Sequence, residues 1–319
     1  MPGPAARAEA DAPYHLAALE SVPPSPSSPE PAAAPKAAAA PPSPVPARAS
    51  AAQGKGDPTV AAVLSWLIPG AGHLYLGKAG LGLICFVIVQ GLYLAGLKLG
   101  DGMSFEYLDP ELRSPFAAAL SPEAGNLGAF IYQMQHYGFG PGFLRPFPEW
   151  LRLGSSLAAL SGVLNIAVIA HAHWCARTAV RAPSWTRSAP AGVLATWFLP
   201  GLGHWMQGRH KRAVVVFVLL VGLFALGTVL AEATNLSRER HFYYWSGQFL
   251  IGMPAILAEL LWGSSRVHSD IPYVDAGLVF GCIAGLLNTL AMIDVYGYTE
   301  SKLLGLPLRS SHVAAEAES

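Results

Sequence analysis

Charge is scarce in this chain: Asp, Glu, Lys and Arg make up only 13% of its 319 residues, against roughly 25% in a soluble domain. The 20 basic and 20 acidic residues cancel. That excludes a global field for nucleic acid or for cations and leaves only local clusters to act electrostatically. Cysteine is nearly absent too. Cys85, Cys175 and Cys282 lie in or at the ends of apolar runs without Cys-x-x-Cys spacing, which argues against redox or metal chemistry and for packing. Also missing are Gly-x-Ser-x-Gly, His-Glu-x-x-His and a phosphate-binding loop ending in Gly-Lys-Ser/Thr. From the sequence the chain is not an enzyme, and no catalytic residue, metal ligand or cofactor is assigned.

What replaces charge is apolar surface, 52% of the residues. Four runs, Ala79 to Leu97, Ser155 to Trp174, Ala213 to Ala231 and Ala276 to Ile293, are long enough to cross a hydrocarbon core, which takes roughly 20 helical residues. They must be helices, because an open strand would leave amides unpaired in lipid. Four shorter pieces, Thr59 to Ile68, Gly128 to Tyr137, Gly192 to Leu199 and Gly247 to Trp262, are re-entrant, interfacial or spanning. Residues 1–57 are a different polymer, holding 13 of the 27 prolines among alanine and serine. Such a stretch buries too little to offset its ordering entropy and reads as a disordered tether or a Pro-rich ligand for a soluble partner. It has no apolar core of a signal peptide.

The apolar part is written twice. Val63-Leu64-Ser65-Trp66-Leu67-Ile68-Pro69-Gly70-Ala71-Gly72-His73 returns as Val193 to His204, with Trp197, Pro200, Gly201, Gly203 and His204 in matching places. Each copy continues through a glycine and basic residues into a long apolar run, and a second echo closes it, Gly162-Val163-Leu164-Asn165 against Gly285-Leu286-Leu287-Asn288. The repeat is therefore a whole module. The expected architecture is an all-α polytopic membrane protein of two parallel tandem modules, each with two long and two shorter helices. Its parts are an arm (1–57), module 1 (58–180), module 2 (189–300) and a polar tail (301–319).

Basic clusters set the orientation. Lys78, Arg177, Arg181, Arg187, Arg209, Lys211 and Arg212 belong in the cytoplasm, whereas the acidic segment from Gly100 to Glu123 belongs outside. Both termini are then cytoplasmic, and the Pro200 motif enters and leaves on one side. The alternative, in which all four pieces of each module span, places Arg177 to Arg187 outside.

The turn Gly70-Ala71-Gly72-His73-Leu74-Tyr75-Leu76-Gly77-Lys78 resembles that of the two-transmembrane-helix hairpin domain. With Leu199-Pro200-Gly201-Leu202-Gly203-His204-Trp205 and the ending Leu287-Asn288-Thr289-Leu290-Ala291-Met292-Ile293-Asp294-Val295-Tyr296, the chain is similar to an uncharacterised bacterial multipass family, a domain of unknown function. The likeness implies a bacterial inner membrane over about residues 58 to 300 and supplies no activity.

The motif residues read mainly as structure. His73 and His204 cap carbonyls freed by Pro69 and Pro200, with lipid headgroup contact or metal and proton chemistry as rivals. Trp66, Trp197 and Trp205 anchor at the interface. His171 and His173 diverge on a helix and cannot chelate together. Aligning Asn165 with Asn288 sets His171 opposite Asp294, and the expectation is that the modules meet through these positions, with Gly162 and Gly285 permitting close approach. Arg238 reads as an exposed loop residue. The bilayer is the one partner the composition demands, nucleic acid is not expected, and association with further copies of the chain is left open. The favoured function is a non-enzymatic scaffold or assembly component recruiting a partner through its arm; the rival is transport or lipid binding between the modules.

Overall fold

The computed structural model describes residues 56–143, 145–178, 188–263 and 271–305. The arm, the linker between the modules and the C-terminal tail lie outside the described residues. Module 1 contains α1 (Pro58–Leu67), α2 (Ala71–Tyr75), α3 (Ala79–Leu99), α4 (Pro115–Ala118), α5 (Leu127–His136) and α6 (Leu151–Arg177). Module 2 contains α7 (Ala189–Phe198), α8 (Leu202–Met206), α9 (His210–Leu230), α10 (Phe242–Phe249), α11 (Met253–Trp262) and α12 (Val274–Leu304). Among the described residues, α3, α6, α9 and α12 are long and apolar enough to cross a membrane. At 10 residues each, α1, α5, α7 and α11 reach about 15 Å, half of a hydrocarbon core.

Helix starts are dictated locally and identically in the two modules. Asp57 accepts from Val60 N at 3.0 Å ahead of Pro58, and Ser188 accepts from Ala191 N at 3.4 Å ahead of Pro190. A short polar acceptor with proline in the first turn is a strong start signal. The stops are as sharp. Ile68 and Leu199 are extended, and Gly70 and Gly201 follow with φ of 82° and 86°. A Cβ on Gly70 would lie 2.1 Å from Gly82 O, and one on Gly201 would lie 2.3 Å from Ala213 O. The turn thus requires glycine for both its hand and its closeness. Each short helix is thereby reversed, and Pro69 and Pro200 mark the tips of the hairpins α1–α2 and α7–α8.

Within each module the two long helices run antiparallel and touch backbone to backbone. A Cβ on Gly96 would stand 2.5 Å from Gly154 O, and one on Gly227 would stand 2.7 Å from Gly277 O, the close approach that small residues allow between membrane helices. Their outer faces carry half-exposed or exposed aliphatics, among them Leu83, Val87, Val215, Val218, Leu290 and Ile293. So broad an apolar surface belongs against lipid.

The modules meet in a packed seam. Ala159 and Val163 of α6 pack with Val193 and Trp197 of α7, Trp245 and Phe249 of α10, and Met292 of α12. Polar clasps flank it at both ends. Arg177 pairs with Glu300 at 2.9 Å, and His173 Nδ1 lies 2.6 Å from Tyr296 Oη. Toward the opposite end, Arg238 Nη1 reaches Glu123 at 2.6 Å, with side-chain exposures of 3% and 0%. Arg238 also donates to Tyr107 Oη and lies over Trp245, Phe242 and Phe105. The expectation of an exposed Arg238 is therefore corrected: it is the buried ionic link between the modules. Burial opposes its charge, but Glu123 and Tyr107 more than restore it and raise its pKa.

Candidate functional site

The two hairpins bring the repeated motif against the long helix that ends each module. At the tip the chain leaves helical carbonyls without partners, a cost membrane helices meet with neighbouring side chains. Asn165 supplies that partner in module 1, donating from Nδ2 to Ser65 O at 3.0 Å and to Gly125 O at 2.9 Å. Asn288 repeats it, donating to Thr196 O at 3.2 Å and Leu250 O at 3.0 Å. Each amide ties the end of one short helix (α1 or α7) to the segment leading into another (α5 or α11). Two half-length helices entering from opposite ends thus meet beside it, about midway along α6 or α12.

This overturns two expectations. Asn165 and Asn288 do not join the modules: both spend their donors on carbonyls of their own module, and no hydrogen bond links them among the described residues. Gly162 and Gly285 likewise admit Pro122 O and Gly247 O, again within the module. Nor do His73 and His204 cap the broken helices, since the asparagines hold those carbonyls.

The histidines instead make a pair of related but chemically different sites. In module 1, His73 Nε2 lies 2.8 Å from His171 Nδ1, with the rings stacked at 5.0 Å. Cys175, one turn on, places Sγ 3.7 Å from the His171 ring nitrogens. In module 2, His204 Nε2 lies 3.1 Å from Asp294 Oδ2, and that carboxylate also holds Arg209 at 2.8 Å and Arg212 at 3.3 Å. Arg209 stacks 4.5 Å over Tyr298. The anticipated pairing of His171 with Asp294 across the seam is replaced by pairing of each with its own module's histidine. Burial, with His171 and Lys78 nearby, pushes the His73 imidazole down to about 4. Burial also lowers His204, against the pull of Asp294. Burial thus disfavours the charged imidazole in both modules.

The remaining motif residues fall into place around these. His171 and His173 diverge as the helical period requires, one to His73 and the other to Tyr296 of module 2. Trp66 is half-exposed and donates to Ala124 O at 2.8 Å, so it ties α1 to the segment ahead of α5. Trp197 is 4% exposed in the seam core, which corrects the interfacial-anchor reading. Trp205 is exposed and meets the ring of His210 edge-on. The sequence reading missed Glu123 and Arg238 as a pair, Cys175 as a neighbour of the histidines, and Arg209 and Arg212 as partners of Asp294.

The profile of one family matches residues 60–183 and again 191–305, one match per module and together most of the chain. The chain belongs to a family of unknown function, DUF6677. No curated protein and no solved structure matches it. The double match agrees with the duplication, and its boundaries enclose the hairpin turns, the asparagine clamps and both histidine sites of this DUF6677 chain.

Proposed function

We propose that this protein is a rigid, non-enzymatic membrane scaffold or assembly component whose proline-rich segment recruits a soluble partner. The closed seam carries the reading. Its middle is aromatic and aliphatic, its ends are held by paired charges, and the amide donors of the clamp asparagines are spent within their own modules. Gln90 accepts from Asn126 at 2.9 Å, Thr228 accepts from Asn235 at 3.1 Å, and both clamp asparagines donate to backbone carbonyls. A solute path needs polar groups facing a hydrated cavity; these face protein. The basic ends of the long helices, with Lys78, Arg177, Arg209 and Arg212 together, support a bacterial cytoplasmic membrane with both termini in the cytoplasm. Purification from native membranes with and without residues 1–57 tests the proposal. A set of proteins retained by the full chain and lost on deletion is expected. Identical sets, or solute flux through purified protein in vesicles, would overturn it.

A second reading, lipid binding, has one specific observation behind it. A cleft of about 280 Å³ opens between α9 and α12, walled by Val215, Leu219 and Leu290 and headed by His204, Arg212 and Asp294. Arg212 is more than half-exposed there, placed for a phosphate headgroup above an acyl chain. Native mass spectrometry of wild type and Arg212→Ala decides it: a bound anionic phospholipid lost in the variant supports the site, and equal lipid retention removes it.

A further inference from the structure

We propose that His73, His171 and Cys175 form a binding site for one thiophilic d10 metal ion, Zn²⁺ or Cu⁺, in module 1. The three donors come from two elements. His171 and Cys175 are four residues apart on α6, so they share a face, and the Pro69–Gly70 reversal carries His73 onto that face. One ligand atom from each side chain lies within 4.8 Å of the other two. A tetrahedral ion with about 2.0 Å to nitrogen and 2.3 Å to sulfur would hold its ligands roughly 3.3 to 3.6 Å apart. The 2.8 Å between the imidazoles and the 3.7 Å from the thiol to the His171 ring bracket that spacing, and Cys175 lies within 4.8 Å of His73, so small rotations admit an ion.

The chemistry of the donors selects the class. Two imidazoles and a thiol, with no carboxylate in the cluster, suit Zn²⁺ or Cu⁺ and reject Mg²⁺ and Ca²⁺, which demand oxygen. His73 is fully buried and Cys175 is 9% exposed. Binding displaces the thiol proton to solvent as sulfur bonds the ion, and three protein ligands leave a fourth position for water. The sister module is a built-in contrast. In the equivalent places it has His204, Asp294 and Tyr298, and the acid there is neutralised by Arg209 and Arg212. Leu81 stands in module 1 where Arg212 stands in module 2. The same fold position is thus completed by guanidinium groups in one copy and, we infer, by a metal ion in the other.

The test uses the full chain in detergent, stripped with chelator, reloaded separately with Zn²⁺ and, under anaerobic reducing conditions, with Cu⁺, then desalted and assayed by plasma mass spectrometry. About one ion per chain is expected for wild type and for Asp294→Asn, with a loss of at least fivefold in Cys175→Ser and His171→Ala. Helical circular dichroism and a monodisperse elution show that each variant is folded. Co²⁺ serves as a spectroscopic probe: a thiolate-to-cobalt charge-transfer band should appear in wild type and in the Cys85→Ala/Cys282→Ala variant, and vanish in Cys175→Ser. Equal metal content in wild type and Cys175→Ser, or a missing thiolate band, would overturn the site. Preference of the retained ion, Zn²⁺ or Cu⁺, fixes the metal.

Discussion

Replacing Arg238 by methionine probes the joint between the modules. The side chain is 3% exposed and its partner Glu123 is completely buried, so the substitution strands a carboxylate in the seam while keeping most of the apolar volume. Removing one partner of a buried ion pair costs about 3–5 kcal/mol, whereas replacing both by apolar groups is close to neutral. The lost hydrogen bond to Tyr107 and the lost contacts with Trp245, Phe242 and Phe105 place the effect at the upper part of that range. At roughly 2–4 °C per kcal/mol, Arg238→Met should lower the midpoint of thermal unfolding in nanodiscs by on the order of 10 °C, followed by tryptophan fluorescence. Glu123→Leu combined with Arg238→Met should recover most of the loss, giving a coupling of about 2 kcal/mol or more. A cost below about 1 kcal/mol for Arg238→Met, or a double variant as unstable as the two single ones added, would mean that the pair does not hold the modules together.

Three further outcomes follow from the geometry. Asn165→Leu leaves Ser65 O and Gly125 O without donors and should cost about 1–3 kcal/mol in the same unfolding assay; Asn288→Leu should do the same in module 2, and an effect confined to one copy would show that the clamps are not equivalent. Gly201→Ala forces a Cβ to within 2.3 Å of Ala213 O at a φ of 86°, so folded yield in membranes should fall severalfold, measured by fluorescence-detected chromatography, while Gly222→Ala, where a Cβ meets nothing within 4 Å, should be silent. Acid should destabilise the chelator-treated chain: the unfolded His73 takes up its proton near pH 6.5 and the folded one only near 4. The contribution of His73 is then constant above about pH 7 and falls by up to about 1.4 kcal/mol per pH unit between those values, and an acid profile left unchanged by His73→Phe would contradict the burial of this imidazole.

Much of the fold is legible in the sequence because its determinants are local. The long apolar runs, the two Pro-Gly-x-Gly-His turns and the echoing Gly-x-Leu-Asn endings give the spanning helices, the hairpin tips and the duplication. The run from Gly247 to Trp262 is harder, since it is apolar apart from Gln248 and Glu259. The structure splits it into α10 and α11 at Gly252, whose φ of 85° brings its backbone against Trp197 O, and a single glycine in such a run is an ambiguous sign.

The site is less legible because its partners are remote or carry no side-chain signature. The clamp asparagines bond to backbone carbonyls, which every residue owns, so repetition marked Asn165 and Asn288 while leaving their partners open. His73 and His171 lie 98 residues apart, and only the hairpin reversal unites them. The i, i+4 spacing of His171 and Cys175 was the one available hint of the cluster, whereas attention to His171-Ala172-His173 pointed to residues that diverge. Arg238 sits between Ser237 and Glu239 with Arg240 beyond; nothing in that polar stretch distinguishes a buried guanidinium from a solvated one. The seam joins aromatic and charged groups from both modules, and such complementarity belongs to packing rather than to any linear motif.

A dry seam between the two modules excludes water, and water access probes it. In a chain with Cys85, Cys175 and Cys282 replaced by alanine, single cysteines are placed at Val163 and Val193, both in the seam core, and treated in native membrane vesicles with a small water-soluble thiol reagent supplied on both sides. No labelling above the cysteine-free background is expected until the protein is denatured; rapid labelling of either position in the folded protein would mean that the seam is hydrated and that the chain is a conduit.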